Sequence, residues 1–593
     1  MNENNLTAAV VLKKGKLNKT LFKILHNHYT AIAPASGSPG TDYITRKWHR
    51  WTENLEIMTY RAHKDGKAIG FAIYNPTTST IEEILTNGSS KEKGLEQKMV
   101  DALIAKKNLI AATILKTDTE KYRWMLEYGF RPTRTLTEDG FPVVRMDLST
   151  AVLLEKTMGL KPSRPYRKKE RVAIEKIPET QTYEEIKQGL ENLIKKLGGI
   201  ERFVKAGDRV VIKPNIVSDH GLKDGAYQGG IVTDIRVVQA LTELVLPIAE
   251  KVIIAEGSSI NRSETAKMFT HYGYDRLVDL DPKKVSLVDL NIDKQVEKIV
   301  PGGKRMLSRK IPLTLDGADV IISVPVLKIH FAAIVSLAIK HLQGAVPPLE
   351  KYMSHFFGLW QNLINIHLLI KPKLTIIDGL CGQEDFGPVS GTPKKMNLLI
   401  GGTNPVALDA SAMRVMGIDP ASSPPVLMAY MQGLGPIEKE KIEIIGPPID
   451  AVKSPFKQPE INLESGRDFI IHENGACPGC KGYLHFALAK LRRPDPKDGK
   501  RQLIDRPFDK KVNMYLGPAT EGKINPDETN IFIGICQQHN AEMGAHLPGC
   551  PPHAEVLLKG IFSLFSDVEQ PKYADETEEE KLGKMLQEIL TMP

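Results

Sequence analysis

The sequence predicts a multidomain α/β protein: an N-terminal α+β domain over residues 1–150, a central α/β domain over 181–460 with a parallel or mixed sheet, and a cysteine-rich segment over 465–570. Three observations carry this. Short β-branched runs alternate with helical patterns through the central residues, and continuous apolar strands of that kind are buried on both faces. The first 150 residues instead mix a hairpin with isolated strands and amphipathic helices. Four of the five cysteines lie after residue 476, in one stretch of a chain whose 593 residues are too many for one core.

Composition excludes several classes. With 41% hydrophobic and 25% charged residues the chain is neither disordered nor fibrous. A net charge of +8 is small for this length, so no nucleic-acid partner is expected. The apolar stretch Phe356–Ile370 is shorter than the roughly 20 residues that cross a bilayer, so no membrane partner is expected either. Near the start, Lys13 and Lys14 follow the apolar run Leu6–Leu12 instead of preceding it as in a secretory signal, which predicts a cytoplasmic protein. Few and oddly numbered cysteines point to metal or redox roles and away from a disulfide framework.

In chain order, a helix is predicted over Leu17–His28. A hairpin follows, in which Asp65-Gly66 supplies the positive φ of a tight reversal. The strand TIEEILT, a loop at Asn87–Ser90, a helix over Leu95–Lys106, the strand LIAATILK, a short helix ending at Tyr128-Gly129-Phe130 and the strand VVRMDL complete the first domain. Residues 151–180, with three prolines and a basic cluster from Arg164 to Arg171, read as a solvated linker. The capping box Thr182–Glu185 opens a helix whose apolar face is Ile186, Leu190, Leu193, Ile194 and Leu197. Predicted strands are RVVIKPN, KVIIAEG, DVIISVPV, KLTIIDG, NLLIGG and KIEIIG, with helices at Ile235–Val245, Phe331–Leu342 and Val406–Met416. The charged tail, 571–593, reads as a solvated amphipathic helix through Leu582, Met585, Leu586 and Leu590.

Cys477 and Cys480 form a CxxC in ENGACPGCKGYL, and Cys536 and Cys550 follow. Four thiolates suit iron-sulfur or zinc alike. Zinc ribbons usually carry two CxxC knuckles, whereas 13 residues lie between Cys536 and Cys550, a spacing that favours iron-sulfur and leaves zinc and unligated thiols as alternatives. The set CPGC, Gly534-Ile535-Cys536 after an apolar strand, and GCPP over Gly549–Pro552 resembles the proximal-cluster motifs of nickel-iron hydrogenase small subunits and the related complex I subunit. The resemblance implies a 4Fe-4S cluster on Cys477, Cys480, Cys536 and Cys550, with every iron capped and electron transfer as its task. It does not extend to hydrogen chemistry. His539, His546 and His553 are expected at the surface, and Cys381 as a buried, inert thiol.

At the strand ends of the central domain stand Lys213-Pro214-Asn215, Glu256–Ser259, Lys328-Ile329-His330 and Asp378-Gly379. Loops at successive strand C-termini converge on one edge of such a sheet and build its ligand site. Lys328, His330 and Lys340 are the candidate catalytic groups, cationic donors for a carboxylate or phosphate of an unknown small-molecule substrate; the alternative is that these lysines are solvated loop residues. The motifs VVIKPNIV, GGIVTD, ADVIISVPVLKIH, LAIKHLQGAVPP, TIIDG and NPVALDASAMRVMGIDP, over roughly 205–425, resemble the family catalogued as domain of unknown function 362. That family often carries an iron-sulfur segment, in keeping with the cysteines, but supplies no reaction. Cys381, Glu384 and Asp385 depart from its usual Gly-rich pattern.

The order of elements in residues 1–150 resembles the GNAT acetyltransferase fold. Where that family cradles a pyrophosphate on backbone N–H groups, this chain has Lys91, Gly94 and then Glu96, a carboxylate that would repel the phosphates. Met125 stands where the family often has a tyrosine acid. The expectation is a degenerate GNAT-like domain. The whole then reads as a 4Fe-4S redox enzyme or electron-transfer protein, with an electron-donor protein as its implied partner. The alternatives are a GNAT-type N-acetyltransferase with a structural metal domain and a zinc-stabilised binding protein.

Overall fold

The computed structural model of the protein describes residues 11–31, 40–54, 58–64, 67–76, 80–86, 95–107, 111–148, 166–223, 226–259, 264–301, 306–473, 475–518, 524–571, 584–585 and 587. The turn Asp65-Gly66, the loop residues Lys91 and Gly94, the basic linker over 151–165 and most of the tail over 571–593 lie outside them. The chain divides into two compact units. One gathers Met1–Lys161, Ser465–Cys477 and Pro507–His546; the other gathers Pro162–Glu464, Pro478–Arg506 and Leu547–Pro593.

In the first unit the strands are β1 (Val11–Gly15), β2 (Met58–Lys64), β3 (Lys67–Asn75), β4 (Thr80–Thr86), β5 (Ala111–Leu115), β6 (Phe130–Glu138) and β7 (Phe141–Leu148), in the order β1-β2-β3-β4-β5-β7-β6. The β4–β5 pair is parallel and the others are antiparallel. Alternation along the strands splits the core in two. Phe71, Ile73 and Leu85 face α1 (Lys19–Ala31) and α2 (Gly40–Glu53), meeting Leu25, Tyr43 and Trp51. Ala72, Tyr74 and Ile84 face the opposite side, meeting Met99 and Leu103 of α3 (Leu95–Lys107) and Met125 of α4 (Thr119–Tyr128). Asp118 caps α4 by accepting from Lys121 N–H at 3.1 Å, and Gly129 ends it at φ 117°, in the left-handed region that a residue without a Cβ enters freely. This is the predicted α+β arrangement.

The second unit holds a ten-stranded mixed sheet. Its strands and their small satellite hairpins are β8 (Glu170–Lys176), β9 (Arg209–Pro214), β10 (Leu222–Lys223), β11 (Ala226–Tyr227), β12 (Lys251–Glu256), β13 (Val285–Asp289), β14 (Gln295–Ile299), β15 (Ser308–Pro312), β16 (Val320–Val324), β17 (Val326–His330), β18 (Ile334–Ser336), β19 (Leu374–Glu384), β20 (Thr392–Gly402) and β21 (Ile442–Ile445). The order is β13-β12-β9-β16-β19-β20-β8-β21, with β17 paired to β18 and β19. Strands β13, β12, β9, β16 and β19 run parallel, as their unbroken apolar runs predict. The predicted capping box is present at Thr182 and Glu185. Its helix, Tyr183–Lys196, and the helix Ile235–Val245 cover Val210, Ile212, Ile254 and Ile322, while Val211, Ile253 and Ile321 pack on the other side against Leu342, Ile366 and Ile370.

Four local expectations change. Residues 170–176 of the expected linker form β8, because Val172, Ala173 and Ile174 are apolar and buried between β20 and β21. Phe331–Leu342, expected as one helix, is instead the strand β18 followed by the four-residue helix Ala338–His341, since residues 334–336 pair with β17. Asp378-Gly379 lies inside β19 and not at its end, because β19 and β20 run on as a long antiparallel pair. In the tail, Met585 is buried against Tyr352, so this part of the expected solvated helix covers an apolar face.

The remaining strands are β22 (Phe469–Glu473), β23 (Pro494–Asp495), β24 (Asp498–Gln502), β25 (Val512–Leu516), β26 (Thr529–Ile533) and β27 (Ala545–Leu547). A four-stranded sheet runs β22-β25-β26-β27, with β22, β25 and β26 parallel, and β23 and β24 form a hairpin. Among the described residues no helix is long and apolar enough to cross a membrane.

Candidate functional site

Lys328 and His330 sit on β17, every residue of which is buried. Lys340 sits on the helix Ala338–His341, whose first N–H groups, from Ala338 and Ile339, donate to the carboxylate of Asp409 at 2.7 and 3.0 Å. The structure brings all three predicted residues to one cavity of about 150 Å³ at the strand ends.

Lys328 is 1% exposed, and its Nζ donates to the Ile231 carbonyl at 2.9 Å. Burial, reinforced by the neighbouring charge of Lys340, pushes its pKa down to about 7; burial alone brings Lys340 to about 8. Among the described residues the Lys340 ammonium has neither hydrogen bond nor ion pair. His330 Nδ1 accepts from the N–H groups of Ala332 (3.0 Å) and Ala333 (3.2 Å), so the proton of the neutral ring is on Nε2. Burial and then the two lysine charges hold its pKa well below the usual value, keeping the ring neutral.

Sequence reading missed part of the wall. Lys351 donates to the carbonyls of Gly257 (3.0 Å) and Ser258 (2.7 Å) and to Asn291 Oδ1 (2.6 Å). His341 is a fixed strut between Ser323 Oγ (2.7 Å) and the Pro214 carbonyl (3.0 Å). Glu256, which the strand-end pattern did mark, lines the cavity and is ion-paired with Lys213. His355, Tyr483 and His553 come from distant stretches of the chain and carried no signal beyond residue type. His553 corrects the expectation of a surface histidine: it is buried, caps the helix Ala554–Phe562, and lies 5.4 Å from the His355 ring, with burial bringing its pKa to about 4. His546 is half-buried and His539 exposed.

Cys477, Cys480 and Cys550 are 6%, 6% and 5% exposed, and Cys536 is half-buried. Among the described residues, which include all five cysteines, there is no disulfide. Cys480 lies on the helix Pro478–Leu491, which also carries Tyr483; Cys550 N–H donates to the His355 carbonyl at 2.8 Å, and its own carbonyl accepts from Leu359 N–H at 2.7 Å. A Cβ on Gly479 would lie 2.7 Å from Cζ2 of Trp360, whose buried indole N–H has no hydrogen-bond partner among the described residues. In donor chemistry, thiols and an unpartnered indole N–H beside Gly479 of the CxxC suit an iron-sulfur group. Among the described residues, no three His, Cys, Asp or Glu side chains are grouped as a metal site.

Cys381, half-buried on β19, has its thiol pKa pushed up to about 11 by burial and the charge of Asp378, away from the reactive range. In the N-terminal domain Glu96 accepts from Thr86 Oγ1 at 2.6 Å, and Met125 is fully buried in the core.

Solved structures similar to the chain include an acetyltransferase from Thermus thermophilus, 11% identical, covering 24% of this chain and 98% of that one with a TM-score of 0.18. A GNAT family acetyltransferase from Elizabethkingia anophelis with acetyl-CoA bound is 13% identical over 24% of this chain and 97% of that one, with a TM-score of 0.17. Thylakoid-associated protein sll1697 of Synechocystis sp. is 28% identical over 292 residues, 48% of this chain and 86% of that protein. Residues 210–414, which include Lys328, His330 and Lys340, match the family described as Domain of unknown function (DUF362).

Proposed function

We propose that the protein is an iron-sulfur protein of the oxidoreductase type, which holds a small substrate in the central cavity and exchanges electrons with it or with a donor protein. The observation that carries this reading is a shared wall. Tyr483 and His553, each three residues from a cysteine, line the same cavity as Lys328, His330 and Lys340, and the Cys550 backbone is hydrogen-bonded to His355. Cys477, Cys480, Cys536 and Cys550 would hold a 4Fe-4S cluster, which supplies one-electron transfer when bound. The chain's own groups bind and orient: Lys328 and Lys340 attract negative charge, and His330 presents an N–H held in place by two backbone donors. A cytoplasmic setting, where free thiols are kept reduced, is in keeping with this reading.

Metal and acid-labile sulfide analysis on protein purified without oxygen tests the reading. The expected result is about four iron and four sulfide per chain with a broad visible band that dithionite bleaches. Stoichiometric zinc in a colourless protein overturns it in favour of a structural metal.

A further inference from the structure

We propose that the cavity receives a small dianion that carries one hydrogen-bond donor of its own, its anionic oxygens lying between the ammonium groups of Lys328 and Lys340 and the Nε2–H of His330, and its donor meeting Nδ1 of His355. This rests on the reading of the cavity as the substrate site, and not on the thiols.

Charge comes first. The Glu256 carboxylate is taken by Lys213, and the three donors of Lys351 are directed at Gly257, Ser258 and Asn291. Lys328 has a single neutral partner, the Ile231 carbonyl, and Lys340 has none among the described residues. Lys328 and Lys340 line one cavity whose acid, Glu256, is already paired with Lys213, and a ligand of charge −2 balances them. Both pKa values lie near neutrality, so an arriving dianion finds the lysines charged below pH 7 and draws protons onto them above it.

Size and hydrogen-bond direction narrow the class. The cavity, of about 150 Å³, is small for a ligand site and suits a compact acid. Most of these groups donate, and two buried acceptors on the wall, Gln343 Oε1 and His355 Nδ1, have no partner among the described residues. His355 Nδ1 is buried and has no hydrogen-bond partner among the described residues, while the other nitrogen of the ring is engaged with the Pro551 backbone. A bare dianion would put its oxygens against that lone pair, whereas one with an O–H satisfies it. Two sources share this chemistry: hydrogenphosphate, and a hydroxylated dicarboxylate such as tartronate.

Calorimetric titration of the full chain with phosphate, sulfate, tartronate and malonate tests the proposal at pH 7. Phosphate or tartronate, or both, should bind at least ~10-fold more tightly than the partner of the same shape that lacks the proton, sulfate or malonate. Which of the two binds identifies the source. Lys340→Gln should cost at least ~10-fold in that affinity, with an unchanged circular dichroism spectrum showing that the protein is folded. Binding of none of the four at 10-fold excess over millimolar protein, or sulfate and malonate binding as tightly as their partners, overturns it. Iron and sulfide content of the same sample separates the two readings: anion binding without iron leaves this proposal standing and removes the redox function, and iron without anion binding does the reverse.

Discussion

The N-terminal domain and the central domain both bury lysines against a sheet, and they treat them in opposite ways. In the first, Lys121 reaches Glu83 at 2.5 Å and Asp118 at 3.4 Å, and Tyr29 donates to the same Glu83 at 2.5 Å. Lys47 donates to Tyr43 and to the Glu82 carbonyl at 3.0 and 2.7 Å. Although burial opposes both charges, their partners raise both pKa values. In the second, neither Lys328 nor Lys340 has an ion pair among the described residues, the nearby Glu256 being paired with Lys213, and both pKa values fall. A balanced buried lysine braces a fold; an unbalanced one waits for charge from outside.

The largest expected effect falls on the balanced side. Glu83→Ala leaves Lys121 with Asp118 alone and Tyr29 without its acceptor, and should destabilise the N-terminal domain by about 3 kcal/mol, the usual loss when one partner of a buried ion pair is removed. Urea unfolding followed by fluorescence measures it, and anion binding by the central cavity should not change. Lys340→Met is the mirror experiment: stability should hold or rise by up to about 1 kcal/mol, since a half-buried charge without an ion pair disappears. A loss as large as that of Glu83→Ala would erase the contrast.

Proton linkage sharpens it further. Lys328 and Lys340 have folded-state pKa values below the roughly 10.4 of an unfolded lysine, so between about pH 7 and 10 the folded state holds fewer protons and stability climbs with pH. Below pH 7 the penalty is present in full. Lys121 and Lys47 are raised, so their contribution is complete below the unfolded value and is lost only as pH rises through the folded one. Thermal unfolding from pH 6 to 10 should therefore show the central domain gaining stability where the N-terminal one is flat. Equal slopes would contradict the assignment. The smallest effect concerns Cys381, whose thiol at about 11 should resist iodoacetamide at pH 8 in the folded protein, as read by mass spectrometry.

Much of the central fold was legible because its strands are continuous apolar runs and the polar residues that end them stand out. Lys328 and His330 follow VIISVPVL, where polar residues at a strand end mark a place for a ligand or for solvent. What was not legible depends on contacts between distant stretches. The helix Ala338–His341 is shortened by the pairing of β17 with β18 and has its first N–H groups taken by Asp409, some seventy residues on, a partner no local pattern announces. His355 and Tyr483 carried no sequence signal for a site, and the cavity joins them across more than a hundred residues. Strand β8 was concealed by the basic residues beside it, although Val172–Ile174 carry a strand's composition.

The route of the chain has its own consequence. It passes from one unit to the other five times, at residues 161/162, 464/465, 477/478, 506/507 and 546/547. No contiguous cut can lift out the four-stranded sheet alone: excising 465–546 to remove β22, β25 and β26 also deletes Tyr483 from the cavity wall. The two units are therefore not exchangeable cassettes, and in this chain recombination at domain borders could transplant residues 1–161 but would have to carry everything after them as one inheritance.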